Sequence, residues 1–190
     1  SGYSTASWTA SFMIRSHDMS TGELGTWLAI IIGLCGAIGV FFGGMAADRL
    51  SPRDKRWYMW LPAISGFVAV PFMVAVYVSD SPYFALSMML IPGLLHQVYL
   101  GNTLATTHNL VGLKMRATSS AILFFIINMI GLGCGPFLIG VLSDQLSGSY
   151  GSDSLRMAML YLLPAVMFWS ACHFYFASRH LRKDLAAAPD

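Results

Sequence analysis

Five long apolar runs limit what this chain can become: residues 24–47, 57–78, 83–107, 117–143 and 155–178. A bilayer's hydrocarbon core, about 30 Å thick, takes roughly 20 apolar residues per crossing helix. Every run is long enough, and none has an acidic or basic residue in its middle. Soluble domains carry about 25% charged residues, whereas this chain has 11%, with 56% hydrophobic residues and a mean hydropathy of +0.62. The runs predict an all-α integral membrane protein of about five crossing helices.

The charges fix an orientation. If the loop 48–56 is cytoplasmic, alternation places the loop 108–116 and the tail 179–190 on the same side. Those three segments hold Arg49, Arg53, Lys55, Arg56, Lys114, Arg116, Arg179, Arg182 and Lys183, nine of the eleven Lys and Arg. The other side keeps Arg15 and Arg156, with Asp18, Glu23, Asp80, Asp144 and Asp153. Such a bias follows the positive-inside rule and makes 15–23 and 144–154 extracytoplasmic loops. A nucleic-acid patch is the rival reading of the basic loop, and membrane helices on both of its flanks argue against it.

The start is too short for its pattern. Residues 1–14 are apolar and hydroxyl-rich but end at Arg15, well short of a full crossing. They read as the outer part of a truncated transmembrane helix, so further membrane-spanning sequence is expected before Ser1. Cys35, Cys134 and Cys172 lie singly in three runs and give no disulfide framework or metal spacing. His96, His108 and His173 share no ligand-like spacing on one face. With no nucleophile–base pair, metal cluster or phosphate loop, neither an enzyme nor a cofactor is expected.

The densest charge lies in the stretch GGMAADRLSPRDKR, Gly43–Arg56. Asp48 falls at a helix C-terminus, where the helix dipole disfavours an acid, so a basic partner or a neighbouring helix N-terminus is expected for it. Gly44, one turn earlier, lets another helix approach, and Pro52 suits a tight turn. A stop-transfer cluster that only sets topology fits the spacing equally well.

Gly44-x-x-Ala47-Asp48-Arg49, followed by Arg53-x-Lys55-Arg56, resembles the signature loop of the major facilitator superfamily. The stretch RSHDMSTGELGTWLAIIIG is similar to the connection between the seventh and eighth helices of spinster-like members, and KMRATSSAILFFIINMIGLGCGPFLIGVLSD to their eleventh helix. The resemblance implies the second six-helix half of that fold with its first helix truncated, in a multi-pass, bacterial inner-membrane protein. It implies a secondary active transporter working by alternating access around a midplane site. Gly44, Asp48, Arg49, Arg53 and Arg56 would form a conformational latch, and the missing N-terminal half would be the principal partner, with membrane lipid around both.

Polar stripes mark the candidate path. His96, Tyr99 and Thr103 share a helical face, as do Ser120, Phe124 and Asn128. In the truncated helix Ser4, Trp8 and Ser11 align, with Tyr3 and Ser7 one position round. Polar groups at membrane depth face a bundle interior or a water-filled cavity. Tyr3, Ser7, Trp8, His96, Tyr99, Thr103 and Asn128 are therefore the substrate-binding candidates, with interhelical hydrogen bonding as the bland reading. No Asp or Glu lies mid-membrane, so a coupled proton would ride on His96 or on a carboxylate of the missing half. A lipid-like or amphipathic organic substrate is expected. The alternatives are small organic acids or drugs as cargo, or a non-transporting membrane subunit that associates with a partner chain.

Overall fold

The computed structural model describes residues 2–189. Among these the chain is helical with short connections: α1 (Gly2–His17), α2 (Thr21–Leu28), α3 (Cys35–Leu50), α4 (Trp57–Val78), α5 (Pro82–His96), α6 (Val98–Asn109), α7 (Arg116–Asn128), α8 (Gly135–Tyr150) and α9 (Ser154–Ala186). Wider π turns, Ala29–Leu34 and Met129–Cys134, join α2 to α3 and α7 to α8 without a break in the rod. The caps explain the sharp starts. The Ser20 hydroxyl accepts from the Glu23 amide at 3.4 Å, and Ser81 accepts from the Phe84 amide at 3.4 Å just ahead of Pro82. Asp18, at φ 52°, stops α1, and Gly151, at φ 54°, turns the chain out of α8.

Four continuous helical stretches are long and apolar enough to cross a membrane: Thr21–Leu50, Trp57–Val78, Pro82–Asn109 and Leu113–Ala186. The last turns back at Gly151 and supplies both the α7–α8 rod and α9. The helices outrun the apolar runs at several ends. Residues 144–150, read from sequence as loop, continue α8, and 179–186, read as tail, continue α9. Hydropathy falls there, but no Pro or Gly breaker intervenes before Gly148 in one and Pro189 in the other, so the hydrogen-bond ladder carries on. Residues 15–17 extend α1 likewise. The run 83–107, uniform by hydropathy, is instead interrupted by a turn at Gln97.

α4 and α9 lie antiparallel and are pinned at both ends by arginines. At one end Arg156 Nε donates to the Tyr77 carbonyl at 2.6 Å, while its Nη2 reaches the Val78 carbonyl at 2.8 Å and Asp80 Oδ1 at 3.0 Å. A cation there answers both the unpaired carbonyls and the negative pole of the α4 C-terminus. At the other end Arg182 grips Asp54. The same number of residues separates Asp54 from Asp80 as separates Arg156 from Arg182, about 39 Å at the helical rise. That length exceeds the hydrocarbon core, long enough for a pin at each edge of it. Arg156 also bears on His17, whose pKa is lowered chiefly by burial and then by that guanidinium.

The tightest packing uses glycine. Gly39 sits directly on the Leu94 backbone carbonyl and Gly43 on Val98, so α3 beds into the break between α5 and α6. The second glycine pair, Gly131 and Gly135, receives Tyr3 and Ser4 of α1. The core gathers Phe12, Met13, Tyr77, Leu155, Met159 and Ile139, with the Phe12 and Tyr77 rings edge to face at 5.4 Å. Large apolar side chains elsewhere, such as Phe41, Phe125, Phe137 and Trp169, are exposed, as a lipid-facing or partner-facing surface requires.

Candidate functional site

A cavity of about 700 Å³ opens between α1, α4, α5, α6, α7 and α9. The α5–α6 break builds its polar wall. His96, Gln97, Tyr99 and Thr103, at and on either side of the turn at Gln97, all reach the lining. The His96 and Tyr99 rings lie 5.4 Å apart, and the α1 backbone at Gly2 rests against the imidazole. The Thr103 hydroxyl is buried and, among the described residues, has no hydrogen-bond partner. Opposite stand Met73, Met89, Met167, Phe124 and Phe174. Among the described residues no Asp, Glu, Lys or Arg lines the space.

Of the sequence candidates, Tyr3, His96, Tyr99 and Thr103 line the cavity. Asn128 stands at its edge, accepting from the Tyr3 hydroxyl at 2.8 Å and donating to the Phe124 carbonyl at 2.7 Å. That bond ties α1 to α7 and orients the phenol. Ser7 is exposed and lies off the lining. Trp8 also lies off it, spending its indole N–H on the Pro136 carbonyl at 2.9 Å and so locking α1 to α8. The residues of α1 that do line the space are Gly2, Tyr3, Thr5, Ala6 and Thr9. Thr5 and Thr9 were legible as a helical pair, with Thr9 bonding the Thr5 carbonyl at 2.6 Å, but α1 is rotated so that their face, and not that of Ser7 and Trp8, turns inward. Ser170 and Phe174 of α9 had no sequence signal beyond a polar residue in an apolar run.

The charged loop is organised around a different acid from the one its spacing suggested. Asp48 is exposed and, among the described residues, forms no ion pair. Gly44 faces open space, and Arg49 and Arg53 are exposed. Asp54 is the anchored carboxylate, with its side chain 12% exposed. Arg56 bonds it through its backbone amide at 3.0 Å, Nε at 3.0 Å and Nη2 at 2.9 Å. Arg182 adds Nε at 3.0 Å and Nη2 at 2.7 Å. The Arg56 guanidinium also lies 4.5 Å over the Trp60 ring. These bonds, led by that from the Arg56 side chain, hold the Asp54 carboxyl well below the usual carboxylate value of 3.8. Its share of stability is therefore complete above that value and is lost only as acid protonates the folded form. We expect Asp54→Asn to raise amide exchange across 179–186 at neutral pH severalfold, and wild type to approach the variant only in strong acid. Equal exchange in both at neutral pH would show that the loop does not hold the α9 end.

No family model matches the chain. An MFS-type efflux pump of Mycolicibacterium smegmatis is 32% identical over 184 residues, which are 97% of this chain and 43% of the pump. A bacterial homologue of the human lysosomal transporter Spinster, in an inward-facing and unoccupied crystal structure, superposes with a TM-score of 0.81 at 26% identity, over 96% of this chain and 45% of that one. Over nearly its whole length the chain is similar to part of a major facilitator superfamily transporter. The inward-facing, occupied structure of a bacterial Spinster homologue superposes at 0.79 with 24% identity, a likeness of fold. The chain spans less than half the length of each of these relatives. Within the superfamily fold it corresponds to the second, spinster-like half, an integral, multi-pass membrane unit.

Proposed function

We propose that this chain supplies the second half of a secondary transporter that works by alternating access, with an amphipathic or lipid-like organic cargo. The observation that carries this reading is the cavity itself. Its walls are aromatic and thioether-rich, among the described residues they hold no Asp, Glu, Lys or Arg, and they carry a polar strip, Tyr3–His96–Tyr99–Thr103, for orienting a headgroup. Few convergent polar groups on a mostly apolar wall are what a ligand site of this size needs. A first half, from a longer polypeptide or a partner chain, closes the site. The basic end, with Gly44 open and Asp48 unpaired, faces the cytoplasm and meets that half as the latch. Drug-like cargo is the second reading, and similarity to a mycobacterial efflux pump favours export as its direction; organic acids fit less well because the described residues of this wall offer no Lys or Arg. Coupling to protons passes through His96 or a carboxylate of the first half.

The test is uptake of labelled lysolipid, drug and organic-acid panels into proteoliposomes holding the full-length gene product. We expect Tyr3→Phe and Thr103→Val each to lower cargo flux about tenfold, as loss of one buried hydrogen bond allows. His96→Gln should also flatten the dependence of flux on a proton gradient if His96 is the carrier. Flux indifferent to all three variants would remove the cavity from the path, and no cargo-dependent flux at all would favour the subunit reading.

A further inference from the structure

A second hollow, of about 510 Å³, runs along the seam between α4 and α9. Met59, Val166, Trp169, His173, Phe174 and Ala177 form its walls, with the Trp169 and His173 rings in edge contact at 5.0 Å. Its α9 side follows one helical stripe, 166, 169, 173, 177, and so makes a lengthwise groove of about 16 Å. The groove climbs toward the basic end, where the Asp54 pin sits. Met59 is one turn inside Arg56, and Ala177 is little more than one turn short of Arg182.

That pin is more than a tie. One carboxylate holds two guanidiniums, and both engage it through Nε and Nη2. Among the described residues the Nη1 edge of each carries no bond, and the cluster keeps a net positive charge. Arg53, Lys55 and Lys183 lie exposed nearby in sequence. Trp57 and Trp60 stand beside the pin, edge to face at 5.3 Å, as indole rings do at headgroup level. Further in, His173 is exposed on the groove wall, where bare hydrocarbon offers an imidazole no partner and an ester carbonyl does.

We propose that the seam binds one anionic phospholipid, its phosphate on the free edges of Arg56 and Arg182 and one acyl chain along the Met59–Trp169–Ala177 groove. Charge complementarity selects this occupant. The guanidinium pair is fixed in place by Asp54, so little side-chain entropy is lost on binding. A zwitterionic lipid brings the same tail but adds a cation beside two arginines.

Native mass spectrometry of the full-length protein in detergent, titrated with phosphatidylglycerol or phosphatidylcholine, tests this. Phosphatidylglycerol should be retained in preference, and R56Q/R182Q should weaken it about 30-fold with phosphatidylcholine unchanged. R56K/R182K keeps the charge without the fork and should retain part of the preference, which separates loss of the site from loss of the fold. Ala177→Trp, filling the groove, should weaken both lipids. Equal retention of the two lipids by wild type, undiminished phosphatidylglycerol in R56Q/R182Q, or indifference to Ala177→Trp each overturns the proposal. Displacement by soluble glycerol 3-phosphate would reveal an anion site without a lipid. Retention of neither lipid would overturn the proposal as well.

Discussion

Replacing Gly39 by alanine is expected to destabilise the fold by about 1–3 kcal/mol, and by valine more, because overpacking a closed contact forces backbone to move. A β-carbon on Gly39 would fall on the Leu94 backbone carbonyl, which is no flexible side chain that can swing aside. Relief would require α3 to lift from the α5–α6 junction, taking Gly43 off Val98 and disturbing the break that presents His96 and Tyr99. The matched control is Gly101→Ala in α6, where nothing lies within 4 Å of the added carbon. It should be neutral or stabilising by up to about 1 kcal/mol, since alanine suits a helix interior better than glycine. Denaturant or SDS titration of the full-length protein would compare the two. Equal effects would mean that the α3 approach is slack.

Arg156→Leu carries the other large effect, a loss of about 3 kcal/mol, in the range for removing one partner of a buried charged network. The two ends of that network differ in weight. Arg156 has a side chain 10% exposed, whereas Asp80 is 93% exposed, so the ion pair itself is screened and worth at most about 1 kcal/mol. The larger part comes from the Tyr77 and Val78 carbonyls, which leucine would leave facing an apolar side chain. Asp80→Asn should therefore be mild where Arg156→Leu is severe. Lysine at 156 should recover only part of the loss, because a single ammonium lacks the fork that reaches two carbonyls and a carboxylate together. If Asp80→Asn proved as damaging as Arg156→Leu, the ion pair and not the capping would be the source of stability.

The membrane class, the approximate number of crossings and the gathering of basic residues at one end were legible in the sequence, because each depends on local composition summed along the chain. The spinster-like relationship was legible too, through short motifs whose residues lie close together. Helix ends were less so: hydropathy marks where a helix leaves hydrocarbon, while the hydrogen-bond ladder continues until a Gly or Pro stops it, as beyond 143 and 178. The cavity was half legible. Periodicity put Tyr3 with Ser7, and His96 with Tyr99 and Thr103, on shared stripes.

Which stripe faces inward depends on the rotation of each helix about its axis. For α1 that rotation is set by Tyr3 and Ser4 seated on Gly131 and Gly135 and by the Trp8 bond to Pro136. Those contacts join residues more than a hundred positions apart, and no local pattern encodes them. The same holds for the charged loop. Its sequence pointed to Asp48 as the acid in need of a partner, and only the antiparallel packing of α9 on α4 brought Arg182 to Asp54 instead. Sequence alone determined a membrane-spanning helical half with a charged end; tertiary structure decided which side chains share the cavity and which acid holds the pin, because both depend on helix rotation and on partners distant along the chain.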